Sequence, residues 1–300
     1  MKINLSNDYI KILIISLIAI FLDYVWLLNN INTPPGWDQG YHIANAFKMS
    51  NIIDNRSINI FEKFSDILNV TESYRGPLTY FLTALLLKIF GKNYTIIFLS
   101  NNFFNLICII SIYKISEIYN QRKVGILATI LFTFSPFIFT QRADYLIDIS
   151  LTSFGMLFFA TLSFWFFSKK DFSKYSLISG ITFGFIFLVK PTGIVLFLIP
   201  LVINFYKRFY LNNKLIFFKE ILSFFVSFIL IITPWFSRNW ITILSSINNA
   251  WNWGIKYQDG LEANTFEGWI YYFKIIPQYL GLPIFIFILI IIVLSLLKNR

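Results

Sequence analysis

Asp38 and His42 stand four residues apart in PPGWDQGYH, the stretch that follows the first hydrophobic run of the chain. On a helix that begins near Asp38 the two side chains share a face. The carboxylate there is either a helix cap or a general base. Basicity would be raised if Trp37 and apolar walls desolvated it. Cations follow at intervals. Arg75, in YRGPLTYFLTALLLKIFG, is either a snorkelling anchor at a lipid–water boundary or a clamp for phosphate, and Tyr74 fits both readings. Lys190, in FLVKPTG, snorkels outward or faces an anionic group in a cavity. Arg238, in TPWFSRNW, follows Pro234 and Trp235 at a helix end, where aromatic residues mark an interface. QRADYLID places Asp144 and Asp148 four apart, aimed one way near Arg142 if a helix starts there. They are caps with a local ion pair, or, with Asp38, candidate ligands of a divalent cation such as Mg or Mn. One acid and three cations (Arg75, Lys190 and Arg238) converging on an apolar cavity point to a lipid-linked phosphate.

The elements that must position these groups are membrane helices. Of 300 residues, 57% are hydrophobic, 20% aromatic and 13% charged, against roughly 25% charged in a soluble domain. Runs such as 10–28, 94–113 and 279–297 approach the roughly 20 apolar residues a spanning helix needs. The period-two alternation of a membrane β-barrel is absent. The chain reads as all-α: a polytopic helical bundle with about eight crossings, near 10–28, 94–113, 124–140, 148–167, 176–189, 192–206, 220–235 and 279–297. Pro77–Gly91 has too short an apolar run to span and reads as an interfacial or re-entrant helix. Residues 1–300 then form one membrane domain with two long outer loops, 29–93 and 236–278, the first carrying juxtamembrane helices.

Net charge is +10, from 25 Lys and Arg against 15 Asp and Glu. The cations sit in short loops between apolar runs, so they are topogenic rather than a nucleic-acid surface. Fourteen of the 25 cations, among them Arg122, Lys123, Lys169, Lys170, Lys207 and Arg208, fall on one side with only 4 acids. That side is the cytoplasm by the positive-inside rule, and both termini lie there. Asp38, His42, Arg75, Asp144, Asp148, Lys190 and Arg238 all fall on the other side. Asp23, inside the first span, reads as hydrated or paired within the bundle. Cys108 is the single cysteine and forms no disulfide within the chain. The N-terminal MKINLSNDYIKILIISLIAIF lacks a small-residue cleavage site and reads as a retained span.

Five segments, in order, resemble the GT-C membrane glycosyltransferases, in the branch of the protein O-mannosyltransferases and the lipid A aminoarabinose transferase. WDQGYHIANAFKM resembles the first-loop acidic motif, and YRGPLTYFLTALLLKIFG the basic-Pro-Leu-Tyr segment before a periplasmic helix. FSPFIFTQRADYLIDISL looks like the second-loop Arg-x-Asp stretch, GITFGFIFLVKPTGIVLFLIP like the Gly-rich span ending in Lys, and PWFSRNW like the Pro-Trp-x-x-Arg-Asn element. Gln39 departs from the pattern, since many members carry Asp-Glu there.

The resemblance implies a multi-pass protein of a bacterial inner (plasma) membrane that serves the cell envelope. It would be an inverting glycosyltransferase moving a sugar from a polyprenyl-phosphate donor to a lipid, protein or polysaccharide acceptor on the extracytoplasmic side. Asp38 would be the base and Asp144 would orient the acceptor, so both are candidate catalytic residues. Arg75 would be the first contact to the donor phosphate, with Lys190 and Arg238 beside it, and His42 and Tyr74 would touch substrate. No cofactor is required by the pattern, although a divalent cation fits the three acids. Expected partners are the donor, the acceptor and membrane lipids, no nucleic acid, and a partner subunit if the short C-terminus leaves the acceptor site incomplete. The alternatives are a transporter, flippase or assembly subunit for lipid-linked saccharides, and an inactive truncated homologue. A carrier should show internal repeats and helices broken at the midplane, whereas the polar residues here gather on one face.

Overall fold

The computed structural model describes residues 5–30, 32–71, 75–168, 174–211, 213–257 and 265–298. Tyr74 lies outside them. The described regular structure is entirely helical. The long apolar runs form α1 (Leu5–Asn30), α5 (Tyr94–Ile118), α8 (Asp148–Phe166), α10 (Leu198–Leu211, continuing a 3-10 segment Pro191–Phe197) and α11 (Lys214–Tyr257). These five are long and apolar enough to cross a membrane.

Two bent helix pairs, each a broken span or a re-entrant loop, bring the number to at most seven. α6 (Arg122–Thr133) and α7 (Pro136–Ala143) meet at 57°, where Pro136 has no amide to continue the ladder and the Ser135 hydroxyl accepts the Ile138 amide instead. α12 (Phe266–Leu280) and α13 (Leu282–Lys298) form the second pair, bent by 109°. α9 (Tyr175–Val189) is an apolar helix of 15 residues, about 22 Å long, shorter than a straight crossing needs, so the described helices supply five to seven candidate spans against the eight crossings read from the sequence. The stretch 236–278 differs from its reading as a loop. α11 continues through Pro234 to Tyr257, and α12 begins at Phe266.

Three helices fill 29–93: α2 (Trp37–Asp54), α3 (Ile60–Leu68) and α4 (Leu78–Phe90). α3 is started by a capping box, with the Asn59 side chain accepting the Phe61 and Glu62 amides and Glu62 returning a carboxylate oxygen to the Asn59 amide. Its Ile60, Phe61 and Phe64 remain exposed, as expected for a helix lying on an interface. α4 is only 13 residues long, about 20 Å, too short for a hydrocarbon core of about 30 Å.

The core is aromatic. Trp165, Phe158, Phe104, Phe183, Phe224 and Tyr80 are buried in one cluster spanning α4, α5, α8, α9 and α11. α9 packs between α8 and α11, and Gly180 permits the second contact: a β-carbon there would lie 2.2 Å from the Phe224 carbonyl oxygen. Apolar side chains facing away from this core, such as Leu13, Leu17, Ile229 and Leu230, are exposed and suit contact with lipid.

Helix direction separates two ends. Asn30 at the close of α1 and Tyr94 at the start of α5 line one cavity with Asp144; α8 starts, and α9 finishes, at the pair Asp148–Lys190. The other termini carry the basic loops. There Lys114 and Arg122 pair with Glu117. Arg208 makes a buried two-toothed pair with Glu220 (2.7 and 2.9 Å) and donates to the Ser168 carbonyl.

Candidate functional site

α2 brings the acid of WDQGYH to the end of the bundle opposite the basic loops. Gln39, in the first turn of α2, accepts the Gly36 amide with its Oε1 at 3.2 Å. With that oxygen committed, its Nε2 donates to Asp144 Oδ1 at 2.7 Å. The departure at Gln39 therefore has a physical consequence: an amide reaches Asp144 as a donor, where a carboxylate would meet another carboxylate.

On the neighbouring face of α2, Asp38 Oδ1 accepts from Arg75 Nη2 at 3.1 Å. Arg75 also lies over the Tyr41 ring at 5.2 Å, a cation–π contact. Its side chain is 18% exposed, and that of Asp38 52%. Trp37 is 87% exposed and does not wall Asp38 off from solvent. The carboxylate is held by a guanidinium and stays open to an incoming group.

Arg75 is placed by Gly76. The Gly76 amide donates to the Val189 carbonyl at 3.0 Å, and a β-carbon at Gly76 would stand 1.9 Å from the Leu188 carbonyl oxygen. Only glycine lets this segment lie against the end of α9, and the next residue there is Lys190. Lys190 Nζ pairs with Asp148 Oδ1 at 3.6 Å. Two acid–base pairs thus sit side by side.

His42 lies beneath them, 2% exposed. It is joined through Nδ1 to the Tyr80 hydroxyl at 2.7 Å and stacked on that ring. Burial, the largest cause, and then Arg75 push its pKa down to about 4; Asp38 and Asp148 oppose the shift, and Lys190 adds to it. His42 is neutral at ordinary pH and ties α2 to α4. Its described contacts are internal, to Tyr80 and Tyr41.

The other candidates are distributed differently. Arg238 donates to the Ser65 hydroxyl at 2.7 Å and to its carbonyl at 3.3 Å, fastening α11 to α3. No described contact joins it to Asp38, Arg75 or Lys190. Asp144 and Asp148 do not point one way near Arg142, because α7 ends at Ala143 and α8 begins at Asp148. Arg142 turns inward and makes a buried two-toothed pair with Asp23 (2.7 and 3.1 Å), to which Asn102 also donates. Asp23 is thus paired within the bundle. Asp38, Asp144 and Asp148 each face a different partner and do not fit a divalent cation as a set. Among the described residues no group of three or more His, Cys, Asp or Glu could hold a metal ion.

Sequence reasoning passed over Gln39 as a donor, Gly76, the bond of Tyr80 to His42, and the pairing of Asp148 with Lys190. A glycine between Arg75 and Pro77 was the one local signal for a close backbone approach.

The described residues form a polytopic helical bundle, a membrane protein with acids and cations paired at the end opposite its basic loops. The family model described as dolichyl-phosphate-mannose-protein mannosyltransferase matches residues 74–237, more than half of the chain, and the chain belongs to this family. It is a membrane glycosyltransferase of the GT-C type, related to mannosyltransferases. No curated protein and no solved structure matches the chain. The matched stretch contains Arg75, Asp144, Asp148 and Lys190, while Asp38, His42 and Arg238 fall outside it.

Proposed function

We propose that this protein transfers a sugar from a polyprenyl-phosphate donor to an acceptor hydroxyl on the extracytoplasmic side, with inversion at the anomeric carbon. The observation that carries this reading is Asp38, half exposed and 3.1 Å from the Arg75 guanidinium, beside a second cation, Lys190.

In the reaction, Asp38 takes the acceptor's hydroxyl proton as that oxygen bonds to the anomeric carbon. The bond from this carbon to the phosphate oxygen breaks with its electron pair, and polyprenyl phosphate leaves with one more negative charge than it carried in the donor. Arg75 and Lys190 would meet that charge as it develops, stabilising the transition state more than the bound donor. Without donor each cation is neutralised by a carboxylate, Asp38 or Asp148. A donor phosphate at Arg75 displaces Asp38 and frees it to accept a proton. The exchange costs little, because exposed pairs contribute about 0–1 kcal/mol. Arg238, next to α3, would act farther out along the donor, and Asp144 would orient the acceptor. Family membership and the charge-sorted ends of the bundle support the assignment.

Asp38→Asn keeps the size of the side chain and removes the base. Release of radiolabelled polyprenyl phosphate by the purified protein should fall by about 100- to 10,000-fold, with donor binding retained. Full activity would remove Asp38 from the mechanism. Donor movement between leaflets without any release would make the protein a carrier.

A further inference from the structure

The face of α2 turned away from Arg75 borders a cavity of about 300 Å³, lined among others by Trp26, Asn30, Asn32, Gln39, Tyr94 and Asp144. That volume stands at the small end of ligand sites, which run from about 300 to 1,000 Å³, and suits one ring rather than an extended chain. Its chemistry differs from that of the neighbouring pairs. Among the described residues no Lys or Arg lines it, so none of them compensates an anionic ligand there.

The polar atoms are chiefly those that hydroxyl groups recognise. Asp144 spends Oδ1 on Gln39, while its Oδ2 has no partner among the described contacts and can only accept while ionised. Asn30 donates its Nδ2 to the Trp26 carbonyl at 2.8 Å, which leaves its Oδ1 as an acceptor. Asn32 and Tyr94 add groups that both donate and accept. Trp26 and Tyr94 add ring surface with polar tips, the amphipathic character that a sugar's own apolar and hydroxylated faces require. The wall includes Gln39, the residue after Asp38, so the cavity adjoins the turn of α2 that carries the proposed base.

We propose that this cavity binds one neutral pyranose ring of a saccharide acceptor, so that the acceptor is a glycan or glycolipid rather than a protein side chain. The inference rests on the transfer reading above and names its acceptor. The Asp144 carboxylate, held in place by Gln39, receives a sugar hydroxyl and turns the ring so that a neighbouring hydroxyl faces Asp38.

The test uses the full chain in nanodiscs with methyl α-mannopyranoside as probe, read by saturation-transfer NMR. Transfer to the glycoside is expected in the wild type, and at least a fivefold loss in Asp144→Asn and in Asn32→Leu. Asn32 is exposed, outside any helix and without a described bond, so its replacement leaves the fold intact even if Asp144→Asn does not. Polyprenyl-phosphate binding should be unchanged in both. No transfer, equal transfer in wild type and Asn32→Leu, or displacement of the probe by a serine-containing peptide at lower concentration than by a second glycoside would each overturn the proposal. The two readings fail separately: a fully active Asp38→Asn removes the transfer mechanism whatever the probe does, whereas absent probe binding with intact donor binding removes only the saccharide site.

Discussion

Asp38, Arg75, Asp148 and Lys190 crowd four charges above one imidazole, and its burial makes His42 sensitive to acid. Its ordinary pKa of 6.5 is depressed to about 4, first by burial and next by Arg75. A base whose folded pKa is depressed binds fewer protons folded than unfolded between these two values. Stability is therefore complete above about pH 6.5 and declines as pH falls toward 4. At about 1.4 kcal/mol per pH unit, the decline amounts to at most about 3 kcal/mol. Thermal unfolding of the purified protein should show Tm falling between pH 7 and 4.5, with His42→Gln flatter over that window. Parallel curves for the two proteins would mean that His42 does not set the acid limit. Asp38 and Arg75 were legible in the sequence because a charge beside apolar runs is costly and stands out. The Gln39–Asp144 bond was not, since it joins residues 105 positions apart and depends on where α7 stops. Arg142 misled for the same reason: its partner, Asp23, is 119 positions away.

At the scale of elements, the site depends on a short segment laid against the C-terminal end of α9. Gly76→Ala puts a methyl group 1.9 Å from the Leu188 carbonyl oxygen. Backbone cannot yield as a flexible side chain does, so the segment must lift, losing the bond to Val189 and drawing Arg75 away from Lys190. Donor KM should rise at least tenfold, and Tm should fall. Gly40→Ala is the matched control, because a β-carbon there meets nothing within 4 Å and alanine favours a helix over glycine by about 1 kcal/mol. It should leave Tm unchanged or raised. A Gly76→Ala protein with wild-type donor KM would show that the Arg75–Lys190 spacing does not matter. Most helices were legible because hydrophobic length and punctuation agree. α12, inside a stretch read as a loop, and the far half of α11 were exceptions. Pro234 with the polar SRNW reads as a stop, yet the helix runs on to Tyr257, as a helix can when tertiary contacts outweigh one missing hydrogen bond. Arg238 and Asn239 supply such contacts by bonding to Ser65 and Leu68 of α3, and no local pattern announces them.

At the scale of the whole molecule, the decisive quantity is the difference between the two ends. α1, α5, α8 and α9 each have one terminus near Asp144, Asp148 or Lys190 and the other among the basic loops. The bundle therefore sorts the charges that the sequence lists in succession. Lys and Arg in short loops are retained on the cytoplasmic side, so the end carrying Asp38 should face outward, where a lipid-linked sugar would be delivered. Cysteine labelling reads this directly. Cys108 is fully buried and bonded to Ser153, so Cys108→Ser clears the background with a side chain that still bonds. In that protein, Trp37→Cys replaces a residue 87% exposed next to Asp38, and Tyr210→Cys one 68% exposed near Arg208. A membrane-impermeant maleimide applied to intact cells should label the cysteine at 37. The one at 210 should react only after permeabilisation. The reverse pattern would put Asp38 and Arg75 inside the cell, and neither an extracytoplasmic acceptor nor a donor on the outer leaflet could then reach them.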